Sequence, residues 1–176
     1  NPEDLDARVQ LLVLQVQQLE LLRLNAPQNP ALLIDRGAPL LDAIEAIHRA
    51  APASSKVCQL ASQVHFLVGR AYLESNVPGE AEQHFAEGRR LLEQPLKQTP
   101  NNLQLRSEAA VLDRAHGMAL GALGRLGDAV ALFESATTTL RALSAADPSD
   151  LTKKANVANT LVILSMAYQF AGEFDR

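Results

Sequence analysis

Pro52, Pro100 and Pro148 stand 48 residues apart, and a second set of residues keeps the same step. Gly69 is answered by Gly117 and Ser165, Tyr72 by Leu120 and Tyr168, Ala81 by Ala129, and Phe85 by Phe133. A fixed interval of this size marks a helical repeat array, in which each unit buries its apolar face only against its neighbours. Arrays of this kind offer extended surfaces for binding, and chemistry of their own is rare among them.

Composition agrees with helices throughout. Alanine and leucine dominate, Trp is absent, and the alternating Val, Ile and Thr runs that strands favour are missing. The formal net charge is −4 with both signs interspersed, so no phosphate-binding footprint is present and nucleic acid is not an expected partner. Cys58 is the single cysteine, which excludes an internal disulfide framework. No apolar run reaches the roughly 18 residues that span a bilayer, and the richest stretch, Leu11–Leu24, is broken by Gln15, Gln17, Gln18, Glu20 and Arg23. A membrane is therefore not expected either. The chain opens on Asn1-Pro2 without Met and reads as an excised piece, so missing targeting signals carry no weight. The compartment is left unknown, with the cytoplasm favoured.

Along the chain the interval divides the sequence into a degenerate hairpin over 1–50, repeats over 51–98 and 99–146, and a first helix alone over 147–176. In the third segment Leu103, Leu105, Ala109, Val111, Leu112, Ala115, Met118, Ala119 and Leu123 recur mostly at three- and four-residue steps, one helix face. Gly124 to Asp128 closes that helix and opens the next, with Asp128 as its expected N-cap, and the second helix ends at Asp147-Pro148. The segment before it is expected to hold helices over about 55–75 and 78–94, ended or kinked near Gln94 by Pro95. The first fifty residues should hold a helix over 4–24 and, after a turn, a second over about 30–50 with a kink or break at Gly37-Ala38-Pro39.

The run Leu67-x-Gly69-x-x-Tyr72, then Ala81, Phe85 and Gly88, resembles the tetratricopeptide repeat. The next unit repeats it as Gly117, Leu120, Gly124, Ala129, Phe133 and Ala136, and the last offers Ser165, Tyr168, Gly172 and Phe174. The resemblance implies an all-α fold: a right-handed superhelical array of antiparallel helix hairpins, about seven helices in one solenoid. Small residues would sit where helices cross, while Tyr72 and Phe85 would fill the space between neighbouring hairpins. The family's usual unit is about 34 residues. The 14 further residues make about four helical turns, two per helix, which leaves the packing faces in phase. Each helix should then be roughly 30 Å long. Long units of this kind look similar to the repeat tails of bacterial multidomain regulators and kinases.

Candidate chemistry is sparse. Glu80, His84 and Glu87 share a helix face at four- and three-residue steps but lack a second His, so a solvated face explains them better than a metal. His116 precedes Gly117 and reads as a packing side chain, while His48 and His65 have no partner visible in sequence. Cys58 lies near a helix start but, with no Cys–His pairing legible, reads as a small apolar residue. Gly121, Gly124 and Gly127 end and restart helices and follow no strand, so they make no phosphate loop. No catalytic residue, metal or cofactor is assigned, and an enzyme is not expected.

A binding face is argued more concretely. The resemblance implies that the first helix of each hairpin lines a concave groove. The residues opposite the Gly/Tyr face are Phe66, Arg70 and Leu73, then Arg114, Met118 and Gly121, then Asn159, Val162, Met166 and Gln169. Met adapts its shape and Arg anchors carboxylates, which suits a peptide or a helix. Family members that clamp a C-terminal carboxylate do so with Lys and Asn, and the matching positions here hold Phe66 and Arg70, Arg114 and Met118, Val162 and Met166. That departs from the clamp. The expectation is a non-catalytic protein-interaction module. Two alternatives stand beside it: a self-association element, because residues 151–170 form an apolar helix without its hairpin partner, or a small-molecule sensory domain of a multidomain kinase or transcription regulator.

Overall fold

The 48-residue interval is written into the backbone as well as the side chains. The computed structural model describes residues 2–25, 28–52 and 54–172, and it is all-α, with no strand among the described residues. Its helices are α1 (Pro2–Asn25), α2 (Pro30–Ala50), α3 (Ser55–Glu74), α4 (Pro78–Leu91), α5 (Glu93–Gln98), α6 (Leu103–Ala122), α7 (Leu126–Ala146) and α8 (Leu151–Ala171). Three of them start identically. The N-caps of α3, α6 and α8 are Ser54, Asn102 and Asp150, with φ/ψ of −73°/102°, −71°/105° and −76°/102°. Each side-chain oxygen accepts from backbone N–H groups two or three residues on, which satisfies donors that the first turn leaves orphaned.

The same three helices end alike. Asn76, Gly124 and Gly172 carry φ of 60°, 77° and 77°, again 48 residues apart. After α6 the Gly124 N–H donates to the Gly121 carbonyl and the Arg125 N–H to that of Leu120. After α3, Asn76 donates to Leu73 and Val77 to Tyr72 in the same pattern. A left-handed residue here turns the chain back sharply and satisfies the last carbonyls. Asparagine is among the few non-glycine residues that take it readily.

Two compact units form, Asn1–Gln98 and Thr99–Arg176. In the first, α2 packs on α1 and α3, α1 touches α3, and α3 pairs with α4. Its core runs from Leu12, Val16 and Leu19 through Leu33, Leu40 and Ile44 to Val57, Val64, Leu67 and Val68. In the second, α7 lies against both α6 and α8. There Leu120, Ala129 and Phe133 meet Leu164 and Ala167, and Ala110, Ala136, Leu140 and Leu143 form a second cluster.

Helix crossings depend on absent side chains. A Cβ on Gly69 would stand 2.8 Å from Phe85 Cε1, and one on Gly117 would stand 2.7 Å from Phe133 Cε1. Phe85 is fully buried and Phe133 nearly so. Phe85 thus seats inside its own hairpin, on the partner helix, and Tyr72 stacks on His84 of that same hairpin at 5.4 Å between ring centroids. Phe85 therefore fills its own hairpin, while Tyr72 also packs against the core cluster shared by α1, α2 and α3.

Four further expectations are corrected or refined. No break occurs at Gly37-Ala38-Pro39, because α2 runs unbroken with Pro39 inside it. Pro39 and Asp35, whose carbonyl loses its helical donor, are both exposed, so water can replace the bond. Gly37 is instead a crossing point: a Cβ there would stand 2.3 Å from Val68 Cγ2. Pro95 acts earlier than expected, since its ring would strike the carbonyl four residues back and α4 ends at that residue, Leu91. The chain resumes as α5 with Pro95 in its first turn, where proline is tolerated, which leaves α4 at 14 residues against the 20 of α3 and raises the helix count to eight among the described residues. Asp128 does not cap α7. That helix starts at Leu126 after Arg125, and the Asp128 carboxylate accepts from Arg125 Nε at 2.9 Å. The Ala26-Pro27 part of the first turn and Phe174 of the last motif lie outside the described residues.

Two glycines in helices should respond oppositely to alanine. Gly37→Ala forces a methyl into the stiff Val68 side chain and should cost about 1–3 kcal/mol despite alanine's better helix propensity. Gly121→Ala meets nothing within 4 Å and should gain roughly 0.5–1 kcal/mol. Urea unfolding of the two variants beside the wild type measures both signs.

Candidate functional site

The residues singled out from sequence lie on α3, α6 and α8, and the structure uses them unequally. On α3, Phe66 is half-buried against the core, its ring centroid 6.2 Å from that of Phe85. It belongs to the hairpin interior rather than to an open face. Arg70 pairs with Glu74 one turn on, Nη2 to Oε1 at 2.7 Å, with 40% of its side chain exposed. Leu73 is half-buried.

In the second unit the display is more open. Arg114 reaches from α6 to α8, where Nη1 donates to Thr160 Oγ1 at 3.5 Å. Thr160 is fully buried and donates in turn to the Asn156 carbonyl at 2.7 Å. Arg114 is therefore tied into the contact between the two helices. One turn along, Met118 is 43% exposed, and around Gly121 space is open. Asn159 and Gln169 are exposed on α8, as are Val162 at 60% and Met166 at 50%. Tyr168 points the other way and donates from its hydroxyl to Glu134 on α7.

Histidines without partners in sequence acquire them in the fold. His65 on α3 and His84 on α4 bring their Nδ1 atoms to 3.0 Å, so one imidazole donates and the other accepts. Burial holds the His65 imidazole down to about 4, helped by the charge that His84 would carry. Burial also lowers His84, while Glu80 beside it pulls the other way. Burial thus disfavours the charged form of each ring, and two charged rings could not make this contact, since each would present an N–H donor. His48 on α2 faces Cys58 on α3, Nδ1 to Sγ 3.8 Å. Burial pushes the Cys58 thiol up in spite of nearby Arg90, which keeps it protonated and a poor nucleophile. Both pairings join different helices, and only packing could reveal them.

The Glu80, His84, Glu87 face does not assemble a metal centre. Glu87 is engaged by Arg90 through two bonds of 2.6 and 2.7 Å, which hold its carboxyl below the usual range. Among the described residues no group of three or more His, Cys, Asp or Glu is arranged to hold a metal. A half-open cleft of about 450 Å³ lies between α1 and α2, with Leu19, Leu22 and Leu40 beside the polar Gln15, Gln18, Asp35 and Arg36. None of the residues picked from sequence lines it. No described helix is long and apolar enough to cross a membrane. Compared with known proteins, the chain matches no family model, no curated protein and no solved structure.

The histidine pair predicts a pH dependence. Unfolded, both rings would titrate near the ordinary 6.5; folded, they resist the proton, so the unfolded chain binds more protons between those values. Stability should be complete above about pH 7 and fall as pH drops through 6.5 towards 4, by roughly 2–3 kcal/mol for His65. His65→Leu should flatten that slope in urea titrations run at several pH values.

Proposed function

We propose that this chain is a non-catalytic protein-interaction module, a tetratricopeptide-like solenoid of long hairpins that takes a peptide or a helix on its first-helix side chains. One observation carries the reading. The framework repeats with period 48 in caps, turns and glycine crossings, whereas the side chains it holds at matching outer positions change from unit to unit. Position by position these are Arg70, Met118 and Met166, then Leu73, Gly121 and Gln169. A fixed frame with varied outward chemistry is what recognition of an irregular partner needs. The exposed mixture of Met, Arg and amide side chains suits a segment with apolar anchors and a few carboxylates, bound by adaptable packing and charge-assisted bonds. The resemblance to repeat tails of larger bacterial proteins makes a scaffold or regulatory arm the fitting role.

Arg70 and Met118 test this best, because both are exposed and neither anchors the core. Proteins captured by the immobilised chain would be identified and their affinities measured against Arg70→Glu and Met118→Glu. A loss of about tenfold or more with an unchanged melting temperature is expected for at least one of the two. Partners that bind both variants as well as the wild type would remove these two positions from the proposed binding residues.

A further inference from the structure

Pro39 breaks a local rule that nothing in the packing repays. Inside the 21-residue helix α2 it gives up one backbone bond and crowds the carbonyl four residues back. Its ring is exposed, so burial does not offset that loss. Natural sequences break such local rules chiefly at functional sites. Both ends of the missing bond, Asp35 and Pro39, line the half-open cleft between α1 and α2. The Asp35 carbonyl, left without its helical donor, is therefore an acceptor at that cleft, beside the carboxylate of the same residue.

Arg36 lines the same cleft from the next position. Neighbours in a helix stand about 100° apart and do not face each other. Among the described residues no ion pair engages Asp35 or Arg36. The rim thus offers a cation and a pair of acceptors side by side, with the amides of Gln15 and Gln18 on the α1 wall. Leu19 and Leu40, both nearly buried, supply an apolar floor. A volume of about 450 Å³ is that of a small-molecule site.

We propose that this cleft binds a free α-amino acid with a large apolar side chain. A simple anion would meet the Asp35 carboxylate and a simple cation the Arg36 guanidinium, whereas a zwitterion satisfies both. Its ammonium donates to the carboxylate and carbonyl of Asp35, its carboxylate accepts from Arg36, and its side chain covers Leu19 and Leu40. None of the residues proposed to take a peptide lines the cleft, so this ligand is additional to that partner.

Isothermal titration calorimetry with L-leucine and with L-phenylalanine should give saturable binding with a Kd of about 0.1–1 mM. Isopentylamine and isocaproate, which are L-leucine without its carboxylate or without its ammonium, should each bind at least about tenfold more weakly. Arg36→Gln and Asp35→Asn should weaken L-leucine by a similar factor with unchanged helical circular dichroism, since both side chains are exposed. Pro39→Ala gives the Asp35 carbonyl its helical N–H back. It should raise the melting temperature and yet weaken L-leucine by at least about threefold, so its effect cannot be misfolding. Arg141→Gln, exposed on α7, should leave the affinity unchanged. Four results each overturn the proposal: no saturable binding of either amino acid up to about 10 mM, analogues that bind as tightly as L-leucine, full affinity in both charge variants, or full affinity in Pro39→Ala. Capture of a protein through Arg70 and Met118 is a separate measurement, and either reading can fail without the other.

Discussion

The contact between a glycine and a phenylalanine one helix away sets the geometry of each complete 48-residue hairpin. Without a Cβ at Gly69 or Gly117 the ring lies directly on the backbone of the facing helix. Dispersion then acts over many short contacts at once, which is where close packing gains most. The approach also fixes rotation, since only one face of α3 or α6 has the notch. Alanines extend the effect: Ala71 and Ala81, then Ala119 and Ala129, are fully buried along the same hairpins. Helices that cross this closely have little freedom to slide, so the chain can vary its outer side chains without losing its frame.

The caps do for helix ends what the glycines do for helix faces. A hydroxyl, an amide and a carboxylate occupy one N-cap position in turn, and an asparagine and two glycines share one left-handed position. Chemically these are different residues; mechanically they are the same. Matching by identity sees only the prolines near them. Matching by role, with an acceptor at the N-cap and a residue tolerant of positive φ at the C-cap, finds both series at an interval of 48.

The sequence was legible wherever the information was local or periodic. The boundaries of α3 and the end of α7 lie within a residue or two of the expected ones, because turn residues act on their own neighbours, whereas the end of α4 and the start of α7 lie about three residues away. Misreadings came where tertiary surroundings changed a residue's meaning. Pro39 stays inside a helix because it faces water, and Gly37 beside it is a crossing notch rather than a breaker. Asp128 gives its carboxylate to Arg125 instead of to the backbone. The pairs His65–His84 and His48–Cys58 span 19 and 10 residues and different helices, so no spacing rule connects them. Phe66 stands one turn from Gly69, on the flank of the notch rather than opposite it, and so its ring lies beside that of Phe85.

Comparing the two complete hairpins separates frame from filling. His65, Tyr72 and His84 of the first correspond to Asp113, Leu120 and Leu132 of the second. The same backbone seat therefore holds a stacked, proton-sharing aromatic cluster in one case and an aspartate with two leucines in the other. The histidine version weakens when its rings take protons, which the two leucines of the other cannot do. Because the Gly–Phe contact already fixes how the helices cross, that interior can change polarity without changing geometry. A repeat frame of this kind lets one hairpin carry a proton-sharing histidine pair that its counterpart lacks, although both keep the same helix crossing.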